Sequence, residues 1–298
     1  MKFLISFFAA AALSCDSVAA DEAAAVARLQ SLGGKIVAKD GVATQLTFTD
    51  CSQLGAAEFE LIGGLRHLKN LTLYGGCKGL NDETLPLLAG LVELETLGTD
   101  GLRVSDDGLR HFAAFKNLRS ASFFHTSFRL EGFTGAGFAH LRDCPKLERL
   151  TVAGMSMGDE GFAAIATIVQ LRELSTWHTY QTERGNAEIA KLPNLRSLKL
   201  GQRLPRAGAR EPSLSDASVP TVVGMRTLEN LALGEAHFTV EALRKLSTLP
   251  NLKKLTLYET DLSAEDAAAI RAALPNVAVD WQPLTDEQRK KLEMYLKR

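Results

Sequence analysis

The stretch LPNLKKLTLYETDLSAEDAAAIRAAL, residues 249–274, decides how the rest of the chain is read. In Leu255-Thr256-Leu257 apolar and polar residues alternate, as a strand with one buried face requires. Ser263-Ala264-Glu265-Asp266 then has the form of a helix cap, leading into Ala267, Ile270 and Leu274 at helical spacing. A lone strand–helix unit of this size cannot cover its own apolar side, so such units have to stack.

They recur along the chain. The form LxxLxL returns at Leu68–Leu73, Leu147–Val152, Leu195–Leu200, Leu228–Leu233 and Leu252–Leu257, with degraded copies between. Anchored on the middle apolar residue, the copies fall at Leu46, Leu71, Leu97, Ala121, Leu150, Leu174, Leu198, Leu231 and Leu255, most of them 24 to 26 apart. Asn81, Ser105, Ser215 and Thr239 stand before Leu85, Leu109, Val219 and Leu243 as Ser263 stands before Ala267, each a cap for a short amphipathic helix. Nine parallel strands at about 4.8 Å spacing would give an inner face roughly 45 Å long.

This pattern resembles the leucine-rich repeats, in particular the bacterial form LxxLxxLxLxxT followed by a D-x-G-L-type helix start, over about Val42 to Trp281. The family's turn asparagine is missing, with Cys51, Thr126, Thr179 and Thr260 in its place. The resemblance implies an α/β, ribonuclease-inhibitor-like solenoid: a right-handed βα horseshoe or arc, with a parallel sheet on the concave face and short helices on the convex face. It also implies protein binding, since leucine-rich repeats commonly serve it.

The ends read differently. Lys2, the apolar run Phe3–Leu13 and the small residues Ser17-Val18-Ala19-Ala20 have the form of a signal peptide over residues 1–20. Cys15 follows that run as in a lipobox and offers a lipid tether, with simple cleavage near Ala20 the favoured reading. Ala23, Val26, Leu29 and Leu32 make residues 21–41 an N-terminal capping segment for the repeat domain of about nine repeats, residues 42–281. Val277, Val279 and Trp281 alternate like a last strand, with Trp281 a lid over the core. In residues 282–298, Thr285-Asp286-Glu287-Gln288 resembles a capping box, and Leu292, Tyr295 and Leu296 are expected to dock the ensuing helix on the final repeat.

Composition narrows the functions. With 34 basic and 35 acidic residues, the formal charge is -1, so no broad positive field would hold a phosphate backbone, and nucleic acid is not an expected partner. No stretch is long and apolar enough for a transmembrane helix. Cys51, Cys77 and Cys144 lie in no metal-ligand spacing and read as small buried hydrophobes ahead of a disulfide. No cofactor or metal is expected, and no nucleophile motif accompanies the six histidines.

Two inner-face ladders follow from the register. One reads Thr49, Tyr74, Asp100, Phe124, Ala153, Trp177, Gly201, Gly234, Tyr258; the other Asp50, Gly75, Gly101, His125, Gly154, His178, Gln202, Glu235, Glu259. Phe124-His125 and Trp177-His178 would flank a shallow notch above Ala153-Gly154. These four, with Tyr74 and Tyr258, are the candidate binding residues. Residues 201–214 lengthen one repeat interval to 33 and carry Arg203, Arg206 and Arg210, a protruding basic loop and second candidate. Phe128, Phe133 and Phe138 mark a smaller excess, an apolar bulge or ordinary convex packing. The expected function is an exported, non-enzymatic, monomeric scaffold binding a protein in the periplasm, in the cell envelope or outside the cell. The alternatives are a glycan-binding or glycan-active hydrolytic protein, with Glu235 and Glu259 as an acid–base pair, and a self-associating envelope element.

Overall fold

The computed structural model describes residues 21–204 and 212–296. Residues 1–20, where a signal peptide is expected, with Cys15 among them, and Arg206 and Arg210 lie outside the described residues. Among those described, a single sheet runs in chain order: β1 (Lys35–Lys39), β2 (Val42–Phe48), β3 (Asn70–Leu73), β4 (Thr96–Asp100), β5 (Ser120–Phe124), β6 (Arg149–Ala153), β7 (Glu173–Trp177), β8 (Ser197–Leu200), β9 (Asn230–Gly234), β10 (Lys254–Tyr258) and β11 (Ala278–Trp281).

All nine anchors fall in one unbroken row across the sheet, from Leu46 opposite Leu71 to Leu231 opposite Leu255, and Val279 extends it onto β11. Each anchor is at most 2% exposed, and burial of a leucine side chain to that degree is worth about 2 kcal/mol. The two longer intervals leave this register intact. In the middle repeats Phe112, Phe123, Phe138 and Phe133 stack edge to face inside the core, with centroids 5.1 to 6.5 Å apart, so Phe133 and Phe138 are interior packing. Phe128 stays half-buried, with Arg129 over its ring at 5.3 Å. Cys51, Cys77 and Cys144 are buried free thiols, and burial pushes Cys144 up to about 11.

The convex side is built from α2 (Ala56–Gly64), α3 (Asp159–Ile165), α4 (Glu183–Ile189), α5 (Val219–Val223), α6 (Val240–Arg244) and α7 (Ala264–Ala273). Three further repeats, at Leu85–Gly90, Gly108–Ala114 and Ala136–Asp143, use the tighter 3₁₀ helix that suits such short runs. Every expected cap accepts a backbone N–H: Asn81 from Glu83 and Thr84, Ser105 from Gly108, Ser215 from Ala217, Thr239 from Ala242 and Ser263 from Asp266.

Two interrupted ladders tie several of the repeats to the next. On the convex rim, an aspartate at the helix start accepts from the cap residue of the following repeat. Asp159 takes both the N–H and the hydroxyl of Thr182 at 2.8 Å, Asp216 does the same for Thr239 at 2.9 and 2.6 Å, and Asp106 for Thr134 at 2.8 and 3.0 Å; Asp82 takes the Ser105 N–H at 2.9 Å. This explains the glycine of the D-x-G-L motif, because a Cβ on Gly108 would lie 1.8 Å from Asp82 Oδ1. On the opposite edge, residues preceding the strands pair in alternating sign: Lys69 with Glu95, Arg172 with Glu148, and Arg196 and Lys253 with Glu229.

The N-terminal segment holds more than the helix its spacing suggests. Residues 21–31 are helical (α1), but Lys35–Lys39 adds an antiparallel strand to β2 through Asp40-Gly41, both at positive φ (54° and 83°) as a two-residue hairpin turn demands. At the other end, Trp281 packs against the core, and α8 (Asp286–Leu296) follows. That helix does not rest on the final repeat alone. Leu292 and Tyr295 are buried, and the Tyr295 ring reaches back to His178 beyond β7, at 5.1 Å between centroids, while Lys291 contacts Glu259 at 3.4 Å. The buried tyrosine ring finds its cover on His178, three strands back from β10. Among the described residues no helix is long and apolar enough to cross a membrane.

Candidate functional site: the concave face

Strand alternation sends the residues on either side of each buried anchor to the concave face. Most are small and polar: Asn70, Thr72, Thr96, Ser120, Ser122, Thr151, Ser175, Ser197, Asn230 and Thr256. Above this hydroxyl and amide floor lies the aromatic ladder, and its large rings lie over small neighbours. Tyr74 covers Gly98, where a Cβ would sit 3.0 Å from its hydroxyl; Tyr258 covers Gly234 and reaches Gly201, with its hydroxyl donating to the Leu200 carbonyl at 3.0 Å.

The rings form a strip across the middle strands. Tyr74 meets Phe124 edge to face at 5.8 Å, and Phe124 meets Trp177 at 6.1 Å. The expected notch above Ala153 is therefore closed: the two rings lean together over the alanine, which is only 2% exposed. Lys199 then bridges onward, its Nζ 4.4 Å from the Trp177 ring and 4.7 Å from Tyr258. Tyr74 is 37% exposed, and Phe124, Trp177 and Tyr258 are half-buried. Burial pushes the Tyr258 hydroxyl well above its ordinary range, with nearby Glu235 and Glu259 acting in the same direction, so it stays a neutral donor.

The next ladder is the turn out of the strands, and it is left-handed at seven of its nine positions, Asp50 and Gln202 being the exceptions. Gly75, Gly101 and Gly154 occupy it at φ of 66° to 80°, but His125, His178, Glu235 and Glu259 also hold φ of 48° to 57°. Side chains pay about 1 kcal/mol or more for this conformation. Each carries a partner. His125 Nδ1 bonds Asp100 at 2.7 Å and stays largely exposed, at 65% of its side chain. His178 Nε2 bonds Glu235 at 2.8 Å, and the other oxygen of this buried carboxylate accepts from the Gln202 N–H at 3.2 Å. His125 thus stays open to solvent, whereas His178 is walled in by Glu235 and Tyr295. Glu235 and Glu259 are engaged by His178 and Lys291 respectively, not paired with each other.

The arginine candidate divides. Arg203 does not project; at 8% exposure it is drawn in beside Gln202, whose Oε1 accepts from the Ser213 N–H and hydroxyl at 2.8 and 2.9 Å. Gln202 so clamps the two stems of the insertion together. Gln202 stood in the second inner-face ladder without a role, and Lys199 went unremarked, although it lies between the buried Leu198 and Leu200 and alternation alone aims it at the concave face. Among the described residues no group of three His, Cys, Asp or Glu side chains is placed to hold a metal ion.

No family model matches the chain, and no curated protein matches it. Among solved structures it is similar to internalin C2 from Listeria monocytogenes, 15% identical over 77% of this chain and 84% of that one with a TM-score of 0.46. It is also similar to a chain of the yeast Rad7 and Elc1 complex, 20% identical over 85% of this chain and 73% of that one with a TM-score of 0.51. At such identity the second likeness speaks to the fold alone. With the register above, it makes the molecule an α/β leucine-rich-repeat solenoid, parallel strands lining one face and short helices the other.

Proposed function

We propose that the chain is an exported, monomeric, non-enzymatic scaffold that binds a protein partner with its concave face. The observation that carries this reading is the continuous strip Tyr74–Phe124–Trp177, half-exposed on a sheet whose backbone is already fixed by nine registered strands. Rings held in place over a rigid floor lose little entropy on binding, and partly exposed aromatics near the centre of a surface are where interface energy concentrates. His125 extends the strip with a polar group held off the surface by its turn. The non-enzymatic part of the reading is supported by the engagement of Glu235 by His178 and of Glu259 by Lys291. Export is supported by the leader-like residues 1–20, and mass spectrometry of the protein made by its own cell tests it: a start near Asp21 or a lipidated Cys15 upholds export, an intact Met1 ends it.

Binding is tested with immobilised full-length chain and envelope and medium extracts, beside a Tyr74→Ala, Phe124→Ala variant with an unchanged melting temperature. Retained proteins are identified and titrated one by one. A partner weakened by about 100-fold in the variant, two hot-spot rings lost, upholds the reading; equal binding to both forms puts the site elsewhere.

A further inference from the structure

The concave face is not uniform in charge. Strands β2 to β5 bring no lysine or arginine to it, and their one charged residue is Asp100. Strands β8 to β10 bring Lys199 and Lys254. The carboxylates around them are Glu173 on β7 opposite Ser197, Asp280 on β11 opposite Thr256, and Glu235 and Glu259 in the turns, the last two engaged by His178 and Lys291. Between these lysines the floor drops. Ser197, Lys199, Asn230, Ala232, Lys254 and Thr256 line an open cavity of about 280 Å3. Its base is Ala232, opposite Lys199 on one side and Thr256 on the other, while Ser197, Asn230 and Lys254 form the adjoining rung.

The two lysines therefore stand at diagonal corners, two strands and two residues apart, about 12 Å between Cα atoms by strand geometry. Lysine side chains close such a gap on one or two carboxylates placed over Ala232. Lys199 is aimed by the Trp177 and Tyr258 rings, and among the described residues it has no carboxylate partner. Lys254 is held only loosely, 4.0 Å from Asp280 with both side chains half exposed. The neighbouring edge is basic too, since Arg196 and Lys253 share the single carboxylate of Glu229.

Resting on the protein-binding reading above, we propose that this dish is the subsite for an acidic segment of the partner. An Asp or Glu side chain of an extended peptide sets its carboxylate between Lys199 and Lys254. The Asn230 amide and the Ser197 and Thr256 hydroxyls supply further donors, and the adjoining Trp177 and Tyr258 rings cover the aliphatic part of the chain. A protein carboxylate fits better than a phosphate backbone. The dish has two point charges and no arginine fork, and the N–H groups of its strands are committed to the sheet.

The test uses the full chain carrying Trp281→Phe, so that Trp177 is the sole indole, titrated at low salt with a blocked hexaglutamate peptide and, as control, hexaglutamine. Fluorescence and calorimetry are read together. Expected is saturable hexaglutamate binding, absent for hexaglutamine, weakened by about tenfold in Lys199→Gln and again in Lys254→Gln, as for loss of a charged hydrogen bond, and retained in Phe124→Ala. Lys254 lies away from the indole, so its variant reports on binding without altering the probe. Overturning results are no saturation, equal binding of hexaglutamine, indifference to both lysine variants, or a uronic-acid oligosaccharide that binds more than tenfold better. A captured partner that depends on Tyr74 and Phe124 but not on the lysines sinks the subsite and spares the protein-binding reading. Lysine-dependent hexaglutamate binding with no captured partner upholds the subsite and counts against that reading.

Discussion

The left-handed turn shows how function is written into single residues of this solenoid. Where no side chain is wanted, glycine takes the position, as at Gly75, Gly101 and Gly154; at His125, His178, Glu235 and Glu259 a side chain is kept despite the strain. For the last three its use is internal, in the contacts among His178, Glu235, Tyr295, Glu259 and Lys291. His125 is different, its side chain exposed and bonded to Asp100 at the rim of the aromatic strip. We therefore expect His125→Gly to be neutral or to stabilise the fold by up to about 1 kcal/mol, through relief of the turn, while weakening the partner. Urea unfolding and a binding titration check this; a variant both less stable and unimpaired in binding would make His125 structural. The rows were legible in the sequence because period two assigns every concave residue. Their strain was not, because nothing in a His or Glu announces a positive φ.

At the scale of elements, the strands and caps were readable because each rests on local chemistry: Ser263 and Asp266 cap each other whatever lies beyond them. Strand β1 was also announced, by Asp40-Gly41 before an alternating run, a signal overshadowed by the helical spacing just upstream. The reach of α8 was not, since Tyr295 meets His178 from 117 positions away in sequence. The N-terminal element carries a pH dependence of known sign. Arg28, 2.9 Å from the nearly buried Glu58, and the Gly55 N–H hold the Glu58 carboxyl below its ordinary 4.5. A depressed folded pKa gives stability that is complete above the unfolded value and is lost as pH falls through the folded one. Hydrogen exchange should thus show α1 opening in acid, as pH falls below the ordinary carboxylate range, before the middle strands do. In Glu58→Gln the acid-dependent part should vanish; if α1 opens identically in both, the pair does not hold it.

Across the molecule, cohesion passes from neighbour to neighbour. The aspartate ladder is its clearest carrier, and Asp159→Ala should cost about 2 kcal/mol, the loss of two charge-assisted hydrogen bonds to Thr182. A lower urea midpoint with an unchanged slope is the expected reading, and a shift worth under about 0.5 kcal/mol would show the ladder to be ornamental. The solenoid as a whole was the most legible feature of the sequence, because nine imperfect copies average out their individual defects. What the copies could not reveal was how unlike their faces are, since that lies in pairs that cross from one unit to the next. Tyr74 needs the bare backbone of Gly98, Tyr258 needs Gly234, and Asp82 needs Gly108. Each unit is cut to fit its successor. The units are tiles with matched edges, so a shuffled chain could keep every leucine and still fail to close its joints, and the order of the repeats is as much a part of the design as their number.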